Sequence, residues 1–118
     1  VNRHDENIEA FSLTSDKPVN MIAFGLFKDL LMAQMGPDLL RLKGIINIEG
    51  KDRPAVIHGV QHIFHPVHWL QKWPDNDRRT RLVFITRNVK KEQIEGFFNA
   101  LMGLVEDNRD PKKIDNLL

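Results

Sequence analysis

Four of the five histidines stand within eleven residues, at His58, His62, His65 and His68. Neutral imidazole is the commonest metal ligand in proteins, so the cluster raises the question of a transition-metal site. Spacing restricts the answer. If Ala55 to Phe64 forms one strand, His58 and His62 share a face but sit roughly 13 Å apart at Cα. Zinc ligands must converge to about 2 Å from the ion. His58 is therefore set apart unless the strand is broken. Pro66 bends the chain among the others, which makes His62, His65 and His68 the candidate metal ligands. The favoured reading is the plainer one, partly buried or interface histidines on a sheet. A weak transition-metal site built from two or three of them is the alternative.

A second constellation is Arg78, Arg79 and Arg81, which lead into an apolar run. Arg79 and Arg81 share strand parity and can project from one sheet face. With Arg41, Lys43 and Arg53 they can form a basic patch for an acidic partner or a phosphate group. Solvated charge and local pairing with Asp75 and Asp77 is the favoured competing reading. Trp69 and Trp73 are either core or apolar interface anchors. Arg79, Arg81, Trp69 and Trp73 are thus the candidate interaction residues.

Catalytic chemistry finds little support. His68 and Asp75 could pair, but no nucleophile or set of oxyanion donors stands beside them. Ser12 and Ser15 lie near an expected helix start, where capping is the better use of a hydroxyl. The sequence has no G-x-x-x-x-G-K-S/T phosphate loop, no G-x-G-x-x-G turn, no G-x-S-x-G elbow and no H-E-x-x-H helix. No catalytic and no cofactor-binding residue is assigned, and the fragment is expected not to be an enzyme.

The elements that must carry these residues follow from patterning. A chain of 118 residues fits a single domain. With 42% hydrophobic and 28% charged residues it can bury a core. Seventeen basic and 16 acidic side chains give +1, so no global pull toward nucleic acid or an acidic membrane is expected. There is no cysteine, which excludes disulfides and thiolate metal sites. No apolar run approaches the roughly 20 residues needed to span a bilayer, and a cytoplasmic protein is expected.

Ile8 to Leu13 reads as a short strand, followed by the capping types Thr14, Ser15 and Asp16, and by Pro18 in a first helical turn. Val19 to about Gln34 has helical spacing, with Val19, Ile22, Ala23, Leu26, Leu30 and Ala33 as its stripe and Phe24, Phe27 and Leu31 widening it. Gly36-Pro37 ends it. Leu39 to Glu49 alternates as a strand with one wet face bearing Arg41 and Lys43, and Gly44 hints at a bulge or a close neighbouring backbone. A turn at residues 50–53 leads to a strand from Ala55 to Phe64, and Val67 to Trp73 is a shorter edge strand. Thr80 to Arg87 is the strongest strand, and its consecutive Leu82, Val83, Phe84 and Ile85 suggest cover on both faces. Asn88 looks like an N-cap for a second helix with Ile94, Phe97, Phe98, Leu101, Leu104 and Val105 as its stripe. The tail from Glu106 is polar. The order β-α-β-β-β-β-α implies an α+β fold, a mainly antiparallel sheet with two helices on one face. The expected domain is 1–118, with its core at about 8–105.

Three blocks then become specific: Arg41-Leu42-Lys43-Gly44, the strand Val56-Ile57-His58-Gly59-Val60-Gln61, and above all Asp77-Arg78-Arg79-Thr80-Arg81-Leu82-Val83-Phe84-Ile85. Their order and spacing resemble the C-terminal domain of CobW-type proteins, over about Ile8 to Val105. The resemblance implies a non-catalytic interaction or regulatory domain of a metal-chaperone GTPase active in zinc or cobalt homeostasis or cobalamin synthesis. It implies an N-terminal GTPase domain, holding GTP and magnesium, as the first partner, and a metalloenzyme client as a second; no nucleic acid or membrane partner is expected. It also implies that the natural protein is longer, consistent with a chain opening at Val1 rather than methionine. Any histidine-based metal binding by such a domain would fall here on His58, His62, His65 and His68.

Overall fold

A computed structural model describes residues 7–61 and 63–109. The first strand, β1 (Ile8–Ser15), takes in Thr14 and Ser15, two of the three capping types expected to open a helix. Val19 does not join the helix. It makes a parallel bridge to Ile48, with its N–H donating to Asn47 O at 2.7 Å and its carbonyl accepting from Glu49 N–H at 2.9 Å. The helix α1 (Met21–Met35) starts only after that bridge, and Asn20 is its N-cap. The Asn20 Oδ1 accepts from Ile22 N–H at 2.9 Å and Ala23 N–H at 3.0 Å, satisfying two donors the helix cannot use. Pro18 thus lies outside the helix. Ser12 sits within β1, and Ser15 Oγ donates to Lys17 O, so neither serine caps it.

The buried stripe of α1 is Ala23, Phe24, Phe27, Leu31 and Met35. The expected stripe was displaced by one step around the helix: Ile22 is 74% and Leu26 is 50% exposed. A helix apolar around much of its girth gives periodicity no unique face to choose. A single 3₁₀ turn (Gly36–Asp38) then leads into β2 (Leu39–Ile46), which has a register shift between Leu39 and Arg41. The irregularity therefore falls at Leu40. Gly44 answers a different need: a Cβ there would strike the Arg81 carbonyl and come within 2.8 Å of Leu82 Cα.

The run from Ala55 to Phe64 is not one strand. It is β3 (Ala55–Val60), a tight reversal, and β4 (Ile63–Phe64), which pairs back on β3 through Gly59–Phe64 and Val60–Ile63. Gln61 makes the reversal with φ of 55°. The expected edge strand is only β5 (His68–Trp69), paired to β3 through Ala55–Trp69 and Val56–His68. β6 (Thr80–Arg87) lies between β1 and β2. The sheet order is β1-β6-β2-β3-β4, with β5 also on β3, and all strand pairs are antiparallel. The fold is thus α+β, with one strand more than the sequence suggests.

After β6 the chain turns at Asn88, whose φ is 57°, so Asn88 is a turn residue rather than a cap. Lys90 N–H instead donates to Gln93 Oε1 at 2.8 Å, the backward arm of a capping box opening α2 (Lys91–Arg109). The helix takes in the first four residues of the expected polar tail, 106–109, and the tail after Arg109 lies outside the described residues.

Both helices pack on one face. The inward side chains Leu13, Leu42, Leu82 and Phe84 join Phe27, Leu31, Ile94 and Phe98 in one core. Phe27 and Phe98 meet edge to face at 5.3 Å between centroids, tying α1 to α2. Such a pair is worth about 0.5–1.5 kcal/mol beyond its buried area. The two buried threonines are satisfied: Thr80 Oγ1 accepts from Asn47 N–H, and Thr86 Oγ1 donates to Val89 O.

Candidate functional site

The reversal at Gln61 changes the histidine cluster. It carries His65 back beside His58, with His65 N–H donating to His58 O at 2.9 Å. The two rings stack at 4.9 Å between centroids, 19° from parallel. His58, set apart by sequence reasoning on the premise of an unbroken strand, is thus the one that a second histidine joins. Burial pushes the His58 imidazole below its ordinary pKa, and His65, Arg41 and Lys43 push it the same way. Its Nε2 is buried without a hydrogen-bond partner among the described residues. His68 sits exposed in β5, opposite Val56, and His62 lies outside the described residues. Among the described residues no three ligating side chains converge on a metal position. Stacked imidazoles present ring faces to each other rather than two lone pairs to one ion, so this pair alone does not fit zinc.

The arginines are engaged locally. Arg79 forks onto Asp77, with Nε and Nη2 each 3.0 Å from a carboxylate oxygen. That contact lowers the Asp77 pKa to about 2 and raises that of Arg79. Arg81 reaches Asp75 at 3.5 Å and Asp77 at 3.6 Å. Asp75 also accepts from Asp77 N–H, so it is committed to this loop rather than to His68. Trp73 is a buried residue, 8% exposed, with its indole N–H donating to Asp52 O; it is not an exposed anchor. Trp69 is half-buried against the core and lines an apolar cavity of about 260 Å³ with Met21, Phe24 and Val67. Arg53 donates to the carbonyls of Leu70 and Trp69, a structural use that takes it out of any patch.

Sequence reasoning placed Arg41 and Lys43 in a basic patch but took Val83 and Ile85 to be covered; the structure sets all four on the face opposite the helices. On β6, Val83 is 50% exposed and Ile85 half-buried, so among the described residues this central strand is covered on one face only. Cross-strand register sets Lys43 beside Val83 and Arg41 beside Ile85, and these four line a shallow depression of about 270 Å³. The signal was present in the alternation of the neighbouring strand, which marks Arg41 and Lys43 as wet.

The family model for the cobalamin synthesis protein CobW C-terminal domain matches residues 8–102. The chain belongs to this family. Among curated proteins, this CobW C-terminal domain is 26% identical over 95 residues to the zinc chaperone YjiA of Escherichia coli. Among solved structures it is similar to Zn(II)-bound YjiA GTPase from E. coli and to a Zn(II)-bound triple mutant of YjiA, each with a TM-score of 0.72 and 26% identity over 80% of this chain. The chain spans 30% of the length of YjiA, and 29% of each of those crystallised chains. Among the described residues, no helix is long and apolar enough to cross a membrane.

Proposed function

We propose that this CobW C-terminal domain is the non-catalytic docking and regulatory domain of a metal-chaperone GTPase, contacting the GTPase domain or a client in zinc or cobalt handling. The observation that carries the reading is the match to a domain that makes up under a third of a zinc chaperone's chain. The nucleotide chemistry would belong to the GTPase half, since this sequence has no phosphate loop. Calorimetric titration of this chain with the separately expressed GTPase half tests the reading. Binding that changes between GDP-loaded and GTP-loaded states is expected; no binding in either state would remove it.

A second reading is a direct histidine-based metal module, for which the support is the density of histidines between His58 and His68. It would use His62, His65 and His68, with His58 alongside. Zn²⁺ titration of the chain is the test. Micromolar binding lost when His62, His65 and His68 all become alanine would support it, and binding unchanged by that replacement would refute it. On the first reading Arg79 and Arg81 act mainly by holding the loop before β6, and Trp69 by shaping the cavity beside α1.

A further inference from the structure

We infer that the open face of the sheet seats an acidic protein surface with an aliphatic centre, belonging to the GTPase domain. The inference rests on the docking role proposed above and deepens it by naming the surface and the chemistry of what covers it.

Charge is the first argument. Side chains alternate between the two faces of a strand, so the outward positions can be read from register. At these positions every charged residue is cationic: Arg41 and Lys43 on β2, Arg81 and Arg87 on β6. No aspartate or glutamate occupies an outward strand position. Arg81 is taken up by Asp75 and Asp77. Arg41 and Lys43 are exposed and have no ion-pair partner among the described residues.

Shape and polarity are the second. The two cations flank an aliphatic floor made by Val83 and Ile85, in the depression already described. The aliphatic surface continues at the sheet's far edge in the Val60–Ile63 pair, whose members are 44% and 61% exposed. The pair lies just past Leu42–Gly59, the last described pair of β2 with β3, and so beside Arg41. A partner that sets carboxylates on Arg41 and Lys43 and aliphatic side chains on the floor would satisfy both features together.

Other occupants fit less well. In a two-fold contact between copies each patch faces its equal, so Arg41 and Lys43 would meet Arg41 and Lys43. Single-stranded nucleic acid is held by aromatic stacking, yet no Phe or Trp stands at an outward strand position, and the ring of His58, outward beside Lys43, is already stacked on His65. Phe11 and Phe84 stack on each other and pack with the core.

The test compares the wild-type chain with the double variant Arg41→Glu, Lys43→Glu in calorimetric titrations against the GTPase half. A second double variant, Lys90→Glu, Lys91→Glu, makes the same change of net charge at the exposed start of α2. All three are first checked for matching circular dichroism spectra and melting curves; Arg41→Gln, Lys43→Gln replaces the first double variant should it melt early. The expected result is a loss of about tenfold or more in affinity for the β2 variant, near-wild-type affinity for the α2 variant, and weakening of wild-type binding as salt is raised. Equal loss in both variants, or none in the β2 variant, would overturn the inference and leave the docking role standing. No binding by the wild-type chain would instead remove the docking role, and the inference with it. Phosphatidylserine vesicles and poly-uridine RNA serve as competing probes. Arg41- and Lys43-dependent binding to either, tighter than to the GTPase half, would also overturn the inference.

Discussion

Replacing Gly44 by alanine probes the joint on which the sheet depends. β2 and β6 pair side by side at the sheet's centre, and Gly44 sits opposite Leu82 in that pairing. An added Cβ would meet the Arg81 carbonyl and stand 2.8 Å from both Leu82 Cα and Leu82 Cδ2. The leucine methyl can turn away, but the obstructing carbonyl and Cα are backbone, so no rotamer change relieves the clash. The strands must separate, at the expense of their hydrogen bonds, or tilt. Overpacking of this kind costs about 1–3 kcal/mol, and a backbone obstacle belongs at the upper end. Alanine recovers about 0.5–1 kcal/mol through its less flexible unfolded state. The net expectation is a loss of about 2–2.5 kcal/mol, or about 8–10 °C in melting temperature for a domain of this size. Urea denaturation followed by circular dichroism measures it. Two controls sharpen the result. Gly59→Ala meets only the Phe64 ring, nearest at 2.7 Å, which can swing at a two-residue edge strand, so about 1 kcal/mol is expected. Gly25→Ala, within α1 and with nothing inside 4 Å, should stabilise by about 0.5–1 kcal/mol. If Gly44→Ala unfolds at the parent's midpoint, or if Gly59→Ala is the worse of the two, the close-approach reasoning is wrong.

Three further outcomes are expected. Asn20→Ala should lower stability by about 1 kcal/mol in urea titrations, because it strips the acceptor from two N–H groups at the start of α1, while Ser15→Ala should leave it nearly unchanged. Gln61→Asn should raise stability by about 0.5–1 kcal/mol, since asparagine tolerates a φ of 55° better than glutamine; an unchanged midpoint would mean the reversal is not strained. The Asp77 carboxyl is held at about 2, below its ordinary 3.8, by Arg79, so its contribution is present above about pH 4 and is lost as pH falls through 2. Carbon-detected NMR should place its titration there, and Arg79→Ala should return it toward 3.8; a carboxyl already titrating near 3.8 in the wild type would show that the forked pair does not persist in solution.

Much of the fold was legible because its signals are local. The period-two alternation at Arg41 and Lys43, the Gly36-Pro37 stop and the apolar run from Leu82 to Ile85 each reflect a few adjacent residues. The misses share one cause: the deciding interaction comes from far along the chain. Asn20 rather than Ser15 caps α1 because Val19 is held by Asn47 and Glu49, some 28 to 30 residues on. The true face of α1 was chosen by Phe98, which meets Phe27 from the other helix. The break in the Ala55 to Phe64 run falls not at Gly59, its one glycine, but at Gln61, which adopts a left-handed φ although its type gives no hint of it.

The same cause explains the candidate site. A patch spread over two strands is not contiguous in sequence, and Val83 with Lys43 becomes a unit only through β2–β6 register. The conspicuous clusters proved to be internally engaged instead: Arg79 and Arg81 with Asp75 and Asp77, His65 with His58. Proximity in sequence favours such local satisfaction, because two nearby side chains lose less chain entropy in meeting than distant ones. Charged residues that stay unpaired, set among exposed aliphatics on a central strand, are the ones still able to bind something else. Arg41 and Lys43 meet that condition, and Arg79 does not.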